Sequence, residues 1–357
     1  MKVQLRVNKV DDELLMRVME IRFADKSITT PIKSLNKAIP DPGFNEIFHR
    51  IDLKKISSIS SDASQEMKFN KVARRDIADD KINLLFLSYK DNEVPDEAAM
   101  STLADLQYVN SDVAIMPLCP GIIKSNKGEQ LINNLISYIE EYLKIIETLN
   151  NKTIVGIIPA KLPRQFLQKV LERYHSHDIT SFVIDSDGSS LYSNPSWIKA
   201  LQRGLYSLRI LDEGFIYNIN SFEGRFSGKS DSTLARDFVT LTFGMDVLGS
   251  NHKPFVIPAE RKVKINDVLK VPRMFDSQTY GYTRDPSLEL KTVKTNNILA
   301  QYREALRIQH AIDEDDTASH YIQRKSQVKE NKVLDKVREV KTDLTERKKQ
   351  RSLFDNY

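Results

Sequence analysis

This chain has a single cysteine, no long apolar run, no glycine after Gly281 and no proline after Pro286. One thiol, Cys119, excludes an internal disulfide and a zinc site built from several cysteines. No stretch approaches the roughly 18 apolar residues that cross a membrane. The alternating residues 3–7 predict a first strand and not a signal peptide. We therefore expect a cytoplasmic protein with no membrane contact, no bound metal and no cofactor.

The charge is distributed unevenly along the 357 residues. Residues 324–351 carry 11 Lys/Arg against 5 Asp/Glu, a net of +6, so the overall charge of +4 leaves −2 for the remainder. A basic tail can serve as an arm that binds phosphates. A solvated helix of mixed charge is the alternative interpretation of the same residues.

Short apolar runs alternate with amphipathic segments through most of the chain. The apolar runs predict buried strands at 81–87, 113–117, 153–159, 182–185 and 215–219. The amphipathic segments predict helices over 131–149, 166–174, 198–205 and 234–243. Non-alternating strands separated by helices indicate a parallel sheet with helices outside.

This pattern predicts an α/β fold, specifically a (β/α)8 TIM-like barrel with a β-rich N-terminal segment. An open doubly wound sheet is the alternative. Residues 295–357 lack glycine and proline and are rich in charge, which predicts a helical C-terminal extension. We therefore expect a barrel over 1–294 and a helical basic extension over 295–357.

In a parallel barrel, functional groups lie where strands end and loops begin. The predicted strand ends carry polar or turn-forming residues, which makes them candidates for substrate binding. These candidates are Pro159, Lys161, Asp185, Asp187, Gly188 and His252. For the Asp185–Gly188 segment, a turn that caps the next helix is the alternative.

The segment Gly224–Ser230 ends in Gly-Lys-Ser but is not a P-loop. That loop needs four residues between its glycines, and only three separate Gly224 from Gly228. We interpret the segment as a basic loop in which Arg225 or Lys229 contacts a phosphate. Arg273 is a third candidate for a phosphate contact.

The segment Arg273–Asp285 carries the strongest chemical signal, a carboxylate at an apolar strand end followed by small and aromatic residues. A carboxylate such as Asp276 can attack the anomeric carbon of a sugar and form a covalent intermediate. The alternative is an aspartate that begins a turn or caps a helix. Tyr280 is the aromatic candidate for substrate binding in this segment.

Phe275-Asp276-Ser277 with Tyr280 resembles the Phe-Asp-Ser-x-x-Tyr segment of archaeal-type tRNA-guanine transglycosylases. The Thr-Pro pair at 30–31, the Ser-Asp pair at 111–112 and the Gly-Met-Asp of 244–246 are similar to further segments of that family. The resemblance implies a barrel enzyme that replaces guanine in a nucleic acid through an aspartyl-ribosyl intermediate on Asp276. It implies Asp62 or Asp246 as the second carboxylate.

The implied partners are tRNA or DNA together with a purine or 7-deazapurine base, because paralogues of the family insert deazaguanines into DNA. The last residues, Gln350-Arg351-Ser352-Leu353-Phe354-Asp355-Asn356-Tyr357, resemble the C-terminal peptides by which archaeal DNA enzymes bind the sliding clamp. Gln350, Leu353 and Tyr357 carry that likeness.

Two other functions stay open from the sequence. The first is a non-catalytic accessory protein that binds nucleic acid or the clamp, because Pro117–Cys119 has no aspartate where the family reads guanine. The second is a barrel that processes a sugar or a phosphate and has no link to nucleic acids.

Overall fold

Parallel strands form the centre of this fold. The computed structural model describes residues 2–149, 151–227, 230–253 and 271–354, with side chains as far as residue 347. Within these ranges the strands are β1 (Gln4–Val10), β2 (Arg17–Phe23), β3 (Lys26–Thr30), β4 (Ile32–Lys33), β5 (Phe44–Ile51), β6 (Ile82–Tyr89), β7 (Ala114–Ile115), β8 (Ile154–Pro159), β9 (Phe182–Asp185), β10 (Ile216–Ile219), β11 (Ser232–Leu234), β12 (Val247–Leu248), β13 (Arg273–Asp276) and β14 (Gly281–Arg284).

Six of these strands form a parallel sheet in the order β4-β12-β10-β9-β8-β7. Strands β5 and β6 form a second parallel pair over their full length. Isolated parallel bridges link this pair to both edges of the larger sheet: Leu35 pairs with Asn45, Leu84 with Val113, and Ser88 with Leu118. The mixed α/β class with a parallel sheet is therefore as the sequence predicts.

The parallel strands are buried because their sequences are almost entirely apolar. Every residue of β6 is buried, and in β8 all but Ile154 are buried. Helices cover the outer faces, so strands such as β6 and β8 have no solvent-facing side and no polar alternation. This explains why their positions are readable from the sequence as short apolar runs. Strand β5 is the exception, because its residues alternate in part and Arg50 is exposed.

The helices follow the strands and pack through amphipathic faces. α5 is an example: residues spaced by three and four, among them Leu131, Leu135, Tyr138 and Tyr142, are buried on one side. The helices are α1 (Leu53–Ser61), α2 (Ala63–Arg75), α3 (Glu97–Asn110), α4 (Pro120–Ser125), α5 (Gly128–Leu149), α6 (Leu167–His175), α7 (Pro195–Ser207), α8 (Leu290–Asp315), α9 (Ser319–Ile322), α10 (Ser326–Glu330) and α11 (Val333–Phe354).

Two antiparallel sheets flank the parallel strands. The order β1-β2-β3 makes the β-rich N-terminal segment, and the order β11-β14-β13 makes a small sheet late in the chain. The helix predicted over 234–243 is wrong in type and extent. Residues 232–234 are a strand, and a 3-10 helix spans Phe238–Phe243.

The physical reason is that the segment has no polar face for an amphipathic α-helix. All six residues of the 3-10 helix are buried, and the hydroxyls of Thr240 and Thr242 donate to carbonyls three residues earlier. Gly244 then ends it with a φ of 87°. Such local hydroxyl bonds compete with regular helical hydrogen bonding.

The helices after residue 290 share the core of the strands. α8 buries Ile298, Tyr302 and Ile308 in the same apolar cluster as the parallel strands. α11 buries an apolar stripe of Leu334, Val337, Val340 and Leu344. Among the described helices, none combines the length and the apolarity that a membrane span requires.

Candidate functional site

The carboxyl ends of the parallel strands bring distant polar residues together at one edge, as parallel geometry requires. Beside the loop that follows β12, the side chain of Glu46, the third residue of β5, is only 3% exposed. Its carboxylate lies 2.8 Å from Nε2 of His252 and accepts a 2.5 Å hydrogen bond from the hydroxyl of Tyr217. The backbone N–H of Ser250 donates to both carboxylate oxygens, at 3.1 and 3.0 Å.

Electrostatics keep Glu46 ionised. Burial opposes its charge, but the hydrogen bond and charge of His252, together with Lys33, hold the pKa of Glu46 below its usual range. An ionised carboxylate can only accept hydrogen bonds, so Nε2 of His252 is protonated and donates to Glu46. The imidazole is also stacked on Phe48, with ring centroids 4.5 Å apart and planes 5° apart. His252 is thus held in one orientation.

A cavity of about 650 Å³ opens beside this cluster, and we call it the central pocket. Its walls are the ends of β4, β10 and β12, the sheet of β11, β13 and β14, and the first turns of α8. The lining residues are Lys33, Ser221, Phe222, Glu223, Asp237, Gly249, Ser250, Asn251, Val271, Arg273, Tyr282, Leu290, Lys291, Val293, Lys294, Asn297, Ile298 and Gln301.

Two carboxyl groups line the central pocket. Asp237 is buried, and its Oδ2 accepts from the hydroxyl of Tyr282 at 2.7 Å and from Nε2 of Gln301 at 3.1 Å. Burial raises the pKa of Asp237, while those two hydrogen bonds and the charge of Lys33 oppose the rise. Burial therefore outweighs the opposing contacts, and the pKa of Asp237 lies above its usual range.

Glu223 lies nearer the rim of the same pocket. Desolvation and repulsion from Asp237 raise the pKa of Glu223 to about 7. Its side chain is still 38% exposed, so water screens part of this effect. Arg273 lies 3.6 Å from its Oε2 and also donates to the carbonyl of Gly224. A carboxyl group with a pKa near neutrality suits proton transfer.

Cations and unsatisfied oxygens complete the pocket. Lys33 is buried, and desolvation lowers its pKa despite attraction to Glu46 and Asp237. Oδ1 of Asp237 and Oγ of Ser221 are buried and have no hydrogen-bond partner among the described residues. Buried polar atoms are nearly always hydrogen-bonded in folded proteins, so these two are available to a polar ligand.

A second charged cluster follows β8 and β9. Lys161 and Lys253 form ion pairs with Asp187, and Lys124 lies 3.8 Å from it. Asp185 accepts from Asn220 at 2.8 Å and from the backbone N–H of Asp187. Burial raises the pKa of Asp185, and burial also lowers the pKa of Lys253 to about 8.

The structure brings together several predicted site residues and separates others. Lys161, Asp185 and Asp187 meet in this second cluster, with Pro159 at the end of β8 and Gly188 in the turn after β9. His252 meets Glu46, and Arg273 lines the central pocket.

Asp276 lies at the end of β13, where it begins a hairpin turn. Its Oδ1 accepts from the backbone N–H of Gln278 at 2.9 Å, and its Oδ2 accepts from the hydroxyl of Thr279 at 2.7 Å. It does not line the central pocket. Tyr280 follows the turn, fully buried, and donates to Glu304 on α8.

The two candidates for a second carboxylate lie elsewhere. Asp62 is exposed and caps the N-terminus of α2 by accepting from the backbone N–H of Ser64. Asp246 precedes β12, at the amino end of the strand, and forms a buried ion pair with Arg17. The three aspartates named from the sequence therefore do not share one pocket.

The remaining candidates lie in loops or in the tail. Arg225 is exposed, and Lys229 falls outside the described residues. Gln350 and Leu353 lie in the last turns of α11, where only the backbone is described, and Tyr357 lies beyond the described residues.

The sequence analysis missed Lys33, Glu46, Glu223 and Asp237. A signal for Glu46 exists, because it stands between Phe44 and Phe48 at alternate positions of one strand. A charged residue on the apolar face of an alternating strand indicates a buried functional or paired group. Neither a scan against protein-family models nor a search of curated proteins finds a match to this chain.

Proposed function

We propose that this protein exchanges a guanine-like base in a nucleic acid at the central pocket, with Asp237 and Glu223 as the reacting carboxyl groups. The observation that carries the proposal is the pairing of these two groups with unequal environments in one cavity. Asp237 is buried and has a free oxygen, whereas Glu223 is nearer the rim with a pKa near neutrality. Two carboxyl groups in different roles are what displacement at an anomeric carbon requires.

We further infer that the eight parallel strands close into a (β/α)8 barrel. The pairing order β4-β12-β10-β9-β8-β7, the β5–β6 pair and the three parallel bridges between them support closure. In such a barrel the carboxyl-end loops form the reaction site. The central pocket lies at that end, beside the ends of β4 and β12.

The chemistry divides into two displacements. In the first, Oδ1 of Asp237 bonds to C1′ of the target nucleotide, the C1′–N bond breaks, and the departing base nitrogen takes the proton of Glu223. In the second, the nitrogen of the incoming base bonds to C1′ and gives its proton to Glu223, and the bond to Asp237 breaks. Atoms and charge balance, and no cofactor takes part.

The charge of the pocket supports a phosphate-bearing substrate. Lys33, Lys291, Lys294 and Arg273 line it against the two acids, although the chain without its tail is slightly acidic. Concentrated positive charge at a cleft attracts phosphates and makes binding depend on salt. The substrate nucleotide has to leave its stack to enter a cavity of this kind.

The alternative is an accessory protein that binds nucleic acid without catalysis. The hairpin turn at Asp276 favours it, because both oxygens of that carboxylate already accept local hydrogen bonds. In that case the central pocket holds a nucleotide and leaves its glycosidic bond intact.

The experiment is incorporation of labelled guanine or a labelled 7-deazaguanine into tRNA and, separately, into double-stranded DNA. The variants are Asp237→Asn, Glu223→Gln and Asp276→Asn, each checked for folding by circular dichroism. We expect incorporation by the wild-type protein and by Asp276→Asn, and none by the two pocket variants.

Two results would change the proposal. If incorporation is lost only in Asp276→Asn, the nucleophile is Asp276 in the hairpin turn and not Asp237. No incorporation by the wild-type protein, with nucleic-acid binding intact, would establish the accessory protein.

A further inference from the structure

We propose that a second cavity beside the central pocket binds the nucleotide next to the target in the same strand. We call this cavity the flanking hollow; its volume is about 540 Å³. Its lining residues are Ala160, Lys161, Leu162, Pro163, Arg164, Ser189, Ser190, Leu191, Ser193, Asn194, Trp197 and Phe222. The inference rests on the proposed function for its nucleic-acid ligand but needs no catalysis.

The flanking hollow combines three kinds of surface that suit a nucleotide. The half-buried ring of Phe222 offers a face for a base, whereas Leu191 and Trp197 line the hollow but are only 2% exposed. Three serines and one asparagine offer hydrogen bonds to base edges or to the sugar. Lys161 and Arg164 supply positive charge, and among the described residues no acidic side chain lines the hollow. Stacking and phosphate contact together are the usual means of holding single-stranded nucleic acid.

The positive charge of the hollow is only partly neutralised. Lys161 is engaged by Asp187, but Arg164 is exposed and forms no ion pair within the described part of the chain. Arg236 adjoins the hollow by donating to Ser193, and its own Nε is buried without a partner among the described residues. At the rim, the exposed guanidinium of Arg164 is therefore a contact that a phosphate can reach.

Phe222 connects the two cavities, because it lines both of them. Its backbone N–H donates to the carbonyl of Ser189 at 2.8 Å, which ties the loop after β10 to the loop after β9. The backbone of Phe222 is therefore held at the boundary between the two cavities. A strand that places one nucleotide in the central pocket has its neighbour on the other side of this ring.

The test compares how a dinucleotide and a mononucleotide, both 5′-phosphorylated, displace a fluorescent single-stranded oligonucleotide. It is run with DNA and with RNA ligands, and binding is read as fluorescence anisotropy. We expect the dinucleotide to bind about tenfold more tightly or better, as one additional stacked base provides. Phe222→Ala should abolish that advantage, and Phe222→Leu should restore little of it because it lacks an aromatic face.

Arg164→Gln should reduce the slope of log affinity against log salt by about one phosphate contact. Arg74→Gln is the matched control, because Arg74 is exposed in the last turn of α2, at the other end of the parallel strands. It should leave the affinity for the dinucleotide unchanged. Circular dichroism of each variant separates lost binding from lost folding.

The outcomes separate this inference from the proposed function. If the dinucleotide has no advantage, or if Phe222→Ala and Arg164→Gln bind it like the wild-type protein, the flanking hollow is not a nucleotide site, while base exchange is untouched. Suppose that the wild-type protein fails to incorporate a base and still binds the dinucleotide more tightly than the mononucleotide. If Phe222→Ala then loses this difference in affinity, the flanking hollow is a nucleotide site in a protein that does not exchange bases. If the wild-type protein binds neither DNA nor RNA, both proposals fall.

Discussion

Replacing Asp246 with asparagine should destabilise the whole fold, because the carboxylate neutralises a buried arginine. The side chains of Arg17 and Asp246 are 7% and 2% exposed. Nε and NH2 of Arg17 lie 2.9 and 2.7 Å from the two carboxylate oxygens, and the backbone N–H of Ile216 donates to Oδ2 at 2.7 Å. The pair joins β2 of the N-terminal sheet to the amino ends of β10 and β12.

The size of the loss in stability follows from the negative charge and the second acceptor oxygen that asparagine lacks. It keeps one acceptor oxygen, but its Nδ2 would face donors that now bond to Asp246. Arg17 would stay buried, and besides that oxygen it would keep the carbonyls of Leu211 and Gly214 and the largely exposed carboxylate of Asp212, 3.6 Å away. Removing one member of a buried ion pair costs about 3–5 kcal/mol. We expect Asp246→Asn to lower the free energy of unfolding by about 3 kcal/mol or more.

The assay is urea unfolding followed by circular dichroism. Asp62→Asn is the matched control, because Asp62 is an exposed helix cap and asparagine caps about as well as aspartate. It should change stability by no more than about 0.5 kcal/mol. In Arg17→Met combined with Asp246→Asn, part of the loss should be recovered, since no buried charge is left alone. A change below about 1 kcal/mol in Asp246→Asn would refute the structural role given to this pair.

Two further predictions concern the site. If Glu223 acts as the acid, base incorporation should fall as the pH rises through about 7, because the proton that it donates is then lost. A rate that rises over this range would contradict that role, and Glu223→Gln should show no incorporation at any pH. Gly249→Ala should cost about 1–3 kcal/mol in urea unfolding, because its Cβ would lie 2.5 Å from Ile219 Cγ2 and 2.6 Å from Glu46 Oε1. In the control Gly43→Ala, the new Cβ would contact only the flexible side chain of Leu35, at 3.1 Å, so the loss of stability should be smaller. Equal losses in the two variants would show that the residues around Gly249 move aside without a cost in stability.

The elements that the sequence predicted well are those whose signal is local. The apolar runs at β6, β8 and β9 and the amphipathic residues of α5 are found where periodicity indicates them. The helix predicted over 234–243 has the wrong type and start, because the residues of the 3-10 helix Phe238–Phe243 are buried on all sides. Without a polar face, periodicity gives no sign of helix type.

The alternation of buried strands and amphipathic helices by itself determined the α/β class and the parallel sheet. These properties depend on neighbours a few residues apart. Only the tertiary structure decided which charged groups meet. Lys33, Asp237 and Gln301 come from three distant parts of the chain, and they share a pocket because strand order and the docking of α8 bring them there. Proximity across such separations depends on how the whole chain packs, and no local pattern encodes it.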